Sequence, residues 1–246
     1  MPKLCDWKLK TICRFKSNEV FCKYCFYKTE SGISVLETGC DVGTATNLLA
    51  QHFPKSTVIG IDINEHAMQK AKDAAASKNL KNVCYDKQNI YKMPEDWAGK
   101  FDHAYAIDTI HGVRPADALK EISRVLAPTG TFNLIEMNGN AGMTENKDLK
   151  SAPYLYVSDL VLSMQDMGDH EHGDEDAGSH GDEEKKGGGD KGAADESEVE
   201  GTCGEGPSWW WGKEAIFKAV KEAGFREVER HDIAGSYVHV LYVCRK

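Results

Sequence analysis

No apolar run in this chain approaches the roughly 18 residues that a membrane-spanning helix needs. The N-terminus, MPKLCDWKLKTICRFK, is broken by basic and polar residues before any stretch reaches signal-peptide length, which argues against secretion. An excess of basic charge is also missing: 30 Lys and Arg stand against 39 Asp and Glu, a net charge of -9. Nothing therefore marks the chain as a nucleic-acid binder or as a partner of an anionic membrane. The eight cysteines (Cys5, Cys13, Cys22, Cys25, Cys40, Cys84, Cys203 and Cys244) come without a secretory leader. They read as free thiols of a reducing compartment, so a cytoplasmic protein is expected. Cys22-Lys23-Tyr24-Cys25 lacks a second close-spaced pair to complete a zinc site, and His170, His172 and His180 lie in a solvated acidic stretch. No metal ligand set is expected.

The acidity is local. Residues 169–206 hold 14 acidic and three basic residues, which leaves the other 208 residues at +2. This stretch has ten glycines and only five hydrophobic residues in 38, too few to offset chain entropy by burial. It is expected to be a disordered insert. Residues 1–31 have no regular pattern, and the foldable part is expected at 32–168 and 207–246. There the 41% hydrophobic content is enough for a core.

Within that part, short apolar runs alternate with helical spacings. Ile33–Glu37, Thr57–Ile61, Val83–Tyr85, Phe101–Ile107 and Thr131–Ile135 read as strands. Thr44–His52, Glu65–Ser77 and Ala116–Leu126 read as helices between them. Pro153–Met167 and Lys213–Ala223 read as further helices, the latter stopped by Gly224, and Phe225–Arg230 and Tyr237–Cys244 as two last strands. Alternation at this pitch predicts an α/β fold, a doubly wound parallel sheet with helices on both faces.

Chemistry concentrates after the first strand. Gly39 and Gly43 allow close backbone approach to a ligand, and the next helix presents its N-terminal N–H groups. Asp62 ends the second strand, placed to accept both hydroxyls of a ribose. A dinucleotide site would want a third glycine where Thr44-Ala45-Thr46 stands, so an oxidoreductase is disfavoured.

Four segments extend the pattern: Val35-Leu36-Glu37-Thr38-Gly39-Cys40, Gly60-Ile61-Asp62-Ile63, Phe101-Asp102 and Arg124-Val125-Leu126-Ala127-Pro128-Thr129-Gly130. Together they resemble the class I, seven-strand S-adenosylmethionine-dependent methyltransferases, over about Ile33 to Arg245. The resemblance implies a mostly parallel seven-strand sheet, S-adenosyl-L-methionine as cofactor and a small-molecule methyl acceptor. It further implies that Glu37 orders the loop, that Gly39 and Gly43 flank the methionine part, and that Asp62, with Ile63 beside it, meets the ribose. Asn89 and Ile90 fall at the adenine, and Asp108 falls where cofactor and acceptor meet. Asp41 stands where the family has Gly.

Asp108-Thr109-Ile110-His111, Ala152-Pro153-Tyr154-Leu155-Tyr156 and Trp211-Gly212-Lys213-Glu214-Ala215 are similar to a branch that often carries an N-terminal winged-helix domain. Residues 1–31 are too short to hold one.

The sulfonium methyl is already an electrophile, so a base is needed only for a weakly acidic N–H or O–H acceptor. His111 and Asp108 are the candidate catalytic residues, and Tyr154, Tyr156 and Trp211 are candidate pocket walls. The competing class is a non-catalytic S-adenosylmethionine-binding or regulatory protein that kept the fold. Deleting residues 170–205 is expected to leave the melting temperature nearly unchanged; a drop of many degrees would contradict the reading of an insert.

Overall fold

The computed structural model describes residues 32–140, 142–158, 212–233 and 235–246. Seven strands form one sheet: β1 (Ser34–Thr38), β2 (Thr57–Asp62), β3 (Val83–Lys87), β4 (Phe101–Ile107), β5 (Leu126–Met137), β6 (Glu227–Asp232) and β7 (His239–Arg245). Their order is β3-β2-β1-β4-β5-β7-β6. The first five are parallel, and β7 runs antiparallel to both of its neighbours. The chain turns outward from β1 in both directions, the doubly wound arrangement expected above.

Alternation along the strands explains the layers, because successive side chains face opposite ways. Leu36, Ala104, Ala106, Leu134, Val240 and Tyr242 share one buried cluster with Leu119, Ile122 and Val125 of α3 (Pro115–Val125) and Ile216 and Val220 of α5 (Lys213–Glu222). Val35, Tyr105, Ile107, Ile135, Leu241 and Val243 face the other way, against Ala45, Leu49 and Ala50 of α1 (Thr44–His52). On that side α2 (Glu65–Ser77) packs Met68, Ala71 and Ala75 on Tyr85 and Cys40. Both faces of the central strands are therefore apolar, which is why they read as continuous hydrophobic runs. Helix α4 occupies residues 152–158.

Several boundaries differ from the sequence reading, among them β7, which starts at His239 instead of Tyr237. β5 begins at Leu126 and runs through Pro128-Thr129-Gly130, which the sequence suggests as a turn before the strand. Leu126 pairs with Phe101 and Thr131 with His103, so five steps of β5 face two of β4. The turn residues are absorbed as an irregularity within the strand. β6 starts two residues later than the apolar pattern suggests, because Phe225 is a core plug stacked on Phe132 with ring centroids 5.8 Å apart. Of the Pro153–Met167 helix, 153–158 is helical and the remainder lies outside the described residues, as do 1–31, the 169–206 segment and Trp211. Among the described residues no helix is long and apolar enough to cross a membrane.

Phe132 is fully buried between the sheet and α5. Truncation to Ala should cost about 3–5 kcal/mol by removing apolar burial and leaving a cavity. Urea unfolding of Phe132→Ala measures it; a loss below about 1 kcal/mol would contradict this packing.

Candidate cofactor and acceptor site

The C-terminal ends of β1, β2, β4 and β5 gather at one edge of the sheet. Glu37, one residue before the end of β1, is 1% exposed, so its carboxylate requires partners. Glu37 Oε2 accepts hydrogen bonds from the Thr46 hydroxyl, in the first turn of α1, and from the Tyr105 hydroxyl of β4, the latter at 2.9 Å. One carboxylate thus ties the central strand to its neighbour and to the helix that follows. Burial, and then the Glu37 charge, push Tyr105 well above the usual phenol range, so it stays a donor.

The loop between β1 and α1 is strongly curved. Gly39 (φ +69°), Asp41 (φ +50°) and Gly43 (φ +69°) all lie in the left-handed region. A Cβ at Gly39 would come within 2.4 Å of Thr109 Cγ2, and one at Gly43 within 2.3 Å of Tyr85 Oη and 2.7 Å of Ala71 Cβ. Glycine is needed here both for torsion and for space. Asp is among the residues that tolerate φ near +50°, so Asp41 keeps a loop shape that glycine would adopt freely. Its side chain is exposed, and its N–H donates to Asp62 Oδ2 at 2.9 Å. Asp62 Oδ1 accepts the Asn64 N–H, also at 2.9 Å. The carboxylate is therefore oriented by two backbone donors while each oxygen keeps a further lone pair. No side chain caps α1, whose N-cap residue is Gly43. Its first turn points N–H groups and a positive dipole end at the loop.

Further along this edge, Ile63 stands 70% exposed beyond Asp62. The Gln88 N–H donates to the Asp62 carbonyl at 3.2 Å, which brings the loop after β3 alongside. Asn89 is exposed, but its Oδ1 accepts the Tyr91 N–H at 2.9 Å in a local turn. That oxygen has one lone pair left for an adenine amine. Ile90 packs half-buried on the core.

On the other side of the glycine loop lies a polar cluster. The Thr109 hydroxyl donates to the Thr38 carbonyl at 3.3 Å and joins the two halves. Asp108 is held at φ +48°, with its N–H donating to the Ile135 carbonyl at 2.9 Å. Asp108 Oδ2 lies 3.0 Å from His239 Nε2, and its Oδ1 is buried without a hydrogen-bond partner among the described residues. His111 Nδ1 lies 2.7 Å from Glu136 Oε2, and Glu136 Oε1 accepts the Ile110 N–H at 3.1 Å. Burial disfavours the imidazolium of His111, but the hydrogen bond and charge of Glu136, with the charge of Asp108, outweigh it and raise its pKa. Burial also pushes Glu136 upward against the pull of His111. Both shifts run toward the protonated forms.

The structure thus brings Glu37, Gly39, Gly43, Asp62, Asp108 and His111 to one edge, with Ile63, Asn89 and Ile90 along its β2–β3 side. Glu136 and His239 were missed in the sequence. They are 25 residues beyond His111 and 131 beyond Asp108, and only the order β4-β5-β7 makes them neighbours. The available signal was an ionisable residue at the end of an apolar strand: Glu136 after Leu134-Ile135, His239 before Val240–Val243. Of the proposed pocket walls, Tyr154 is exposed and meets Tyr237 edge-on at 6.1 Å, and Tyr156 is half-buried.

A family model described as a methyltransferase domain matches residues 29–176, more than half of the chain. The chain belongs to the methyltransferase-domain family. A 24-methylenesterol C-methyltransferase of Arabidopsis thaliana is 36% identical over 107 residues, 43% of this methyltransferase-domain chain and 29% of the relative. An S-adenosyl-L-methionine-dependent Diels-Alderase of Talaromyces variabilis is 30% identical over 110 residues, 44% of this chain and 37% of the relative. The chain spans about a third of the length of these curated relatives. Among solved structures, a SAM-dependent methyltransferase from Aquifex aeolicus superposes with a TM-score of 0.55 at 16% identity, covering 96% of this chain and 97% of that one. The seven-strand class I methyltransferase fold is thereby shown across the methyltransferase domain.

Gly43→Ala should destabilise the fold by about 1–3 kcal/mol, from left-handed strain and the clash with Tyr85. A melting temperature within a degree of wild type would contradict the observed loop.

Proposed function

We propose that this chain binds S-adenosyl-L-methionine and transfers its methyl group to a small-molecule acceptor. One observation carries the reading: the tightly curved Gly39–Gly43 loop faces an uncapped helix N-terminus on one side and the backbone-oriented Asp62 carboxylate on the other. The helix end suits the methionine carboxylate, and Asp62 suits the ribose hydroxyls. Ile63 and Ile90 would flank the adenine, with Asn89 at its amine. The named activities of the sterol methyltransferase relatives support the reaction class and a small-molecule acceptor.

The transfer is an in-line displacement in which the acceptor's lone pair takes the methyl carbon and the C–S pair returns to sulfur. The protein's part is alignment and exclusion of water. The Asp108–His111 cluster meets the same loop through Thr109, which supports a place for it on the acceptor side. There it takes part in removing the proton of an N–H or O–H acceptor.

A second reading follows from the Diels-Alderase relative, whose name attaches S-adenosyl-L-methionine to a different reaction. A chain that binds the cofactor but methylates nothing across a broad acceptor panel would fit it.

Calorimetric titration should show S-adenosyl-L-methionine binding to wild type and its loss in Asp62→Ala. Mass spectrometry should find a methylated product, with His111→Ala lowering kcat roughly 10²–10⁴-fold at unchanged cofactor affinity. No binding at millimolar cofactor would overturn the proposal.

A further inference from the structure

We propose that Asp108, His111 and Glu136 form a binding site for one divalent transition-metal ion at the acceptor end of the cleft. One donor atom from each of the three residues lies within 4.8 Å of the other two. Around a first-row metal with bonds of about 2.0–2.2 Å, ligand atoms sit about 3–4 Å apart, so closure needs shifts of about an ångström.

The three ligands are held by rigid neighbours. Glu136 lies in β5, paired with Val240 of β7 and fixed through Oε1 by the Ile110 N–H at 3.1 Å. Asp108 is anchored by its N–H on β5 and oriented by His239 Nε2, 3.0 Å from Oδ2. His239 stands to Asp108 as an outer-shell partner stands to a ligating carboxylate. Its contact leaves Oδ1 buried and without a hydrogen bond among the described residues, an acceptor with a vacant lone pair in a dry position.

Charge points the same way. Two carboxylates, Asp108 and Glu136, share this largely buried cluster, and among the described residues neither is ion-paired with Lys or Arg. Among the described residues, the imidazoles of His111 and His239 are their side-chain partners. A divalent cation would offset both carboxylates at once. A donor set of one imidazole nitrogen and two carboxylate oxygens suits zinc, manganese or ferrous iron better than calcium or magnesium, which prefer all-oxygen sites. Asp108 and His111 are close in sequence, but Glu136 lies 25 residues beyond His111 and reaches them only through the pairing of β4 with β5, which is why no metal was expected. The site's existence stands apart from methyl transfer. Its use, polarising a coordinated acceptor group beside the cofactor loop, rests on the proposed function.

The test is calorimetry on the full chain, stripped with a chelator and titrated with Mn²⁺ and, separately, Zn²⁺. Mn²⁺ is expected to bind with one equivalent at the cluster. Asp108→Asn and His111→Ala should each weaken binding by about 10–100-fold or more. Pulsed EPR of the wild-type Mn²⁺ complex should show one directly coordinated histidine nitrogen, a readout independent of any variant's folding. No binding of either metal at millimolar concentration, undiminished binding in the variants, or a Mn²⁺ signal without histidine nitrogen would overturn the proposal. A chain that binds S-adenosylhomocysteine but neither metal would sink this inference and leave the methyltransferase reading standing; one that binds metal but not S-adenosylhomocysteine would do the reverse.

Discussion

The buried carboxylate of Glu37 is the constraint on which the cofactor end of the molecule depends. It places a carboxylate that water barely reaches near the end of the central strand, and the hydroxyls of Thr46 and Tyr105 donate to its Oε2. Hydrogen bonds to a charged group contribute about 1.5–3 kcal/mol each, and an unsatisfied buried charge costs more. α1 must therefore start where Thr46 can reach β1. That fixes the span of the loop at Gly39–Gly43 and forces three left-handed residues into it. The glycine spacing is thus a consequence of a short loop between two points held by one carboxylate.

The same loop sets the relation between the two chemical halves of the site. Asp41 gives its N–H to Asp62 on the β2 side, and Gly39 leaves room for Thr109 on the β4 side. Position 109 in turn places Asp108 and His111 on either side of the contact. Asp108 sits at a positive φ that costs a non-glycine residue about a kilocalorie per mole or more, and such strain persists where the surroundings over-determine it. Here the surroundings are the Ile135 carbonyl and the His239 ring. Backbone strain at Asp108 and the carboxylates of Asp108 and Glu136 collect at the ends of β4 and β5.

Much of the fold was legible because the central strands are apolar on both faces and the intervening helices carry clean apolar stripes. Ile122 and Val125 announce α3 as plainly as Val35 and Leu36 announce β1. The boundaries were less legible where an apolar side chain serves packing instead of pairing, as Phe225 does, or where a turn sequence is carried inside a strand, as Pro128-Thr129-Gly130 is. Of the site, the parts that depend on local backbone chemistry could be read: Gly39, Gly43 and Asp62 lie within one strand–loop–helix–strand stretch. Glu136 and His239 could not, since their partners are chosen by strand order. Asn89 shows the opposite case: the residue type suited the role, and its carbonyl oxygen is partly spent on a local turn.

The central claim is that the curved loop, the α1 N-terminus and Asp62 form one cofactor site. A co-crystal structure of the chain with S-adenosylhomocysteine tests it most directly. The account predicts the ribose hydroxyls on the Asp62 carboxylate and the amino-acid end of the ligand against the first turn of α1. Ligand bound elsewhere on the chain, or no ligand at millimolar concentration, would contradict it.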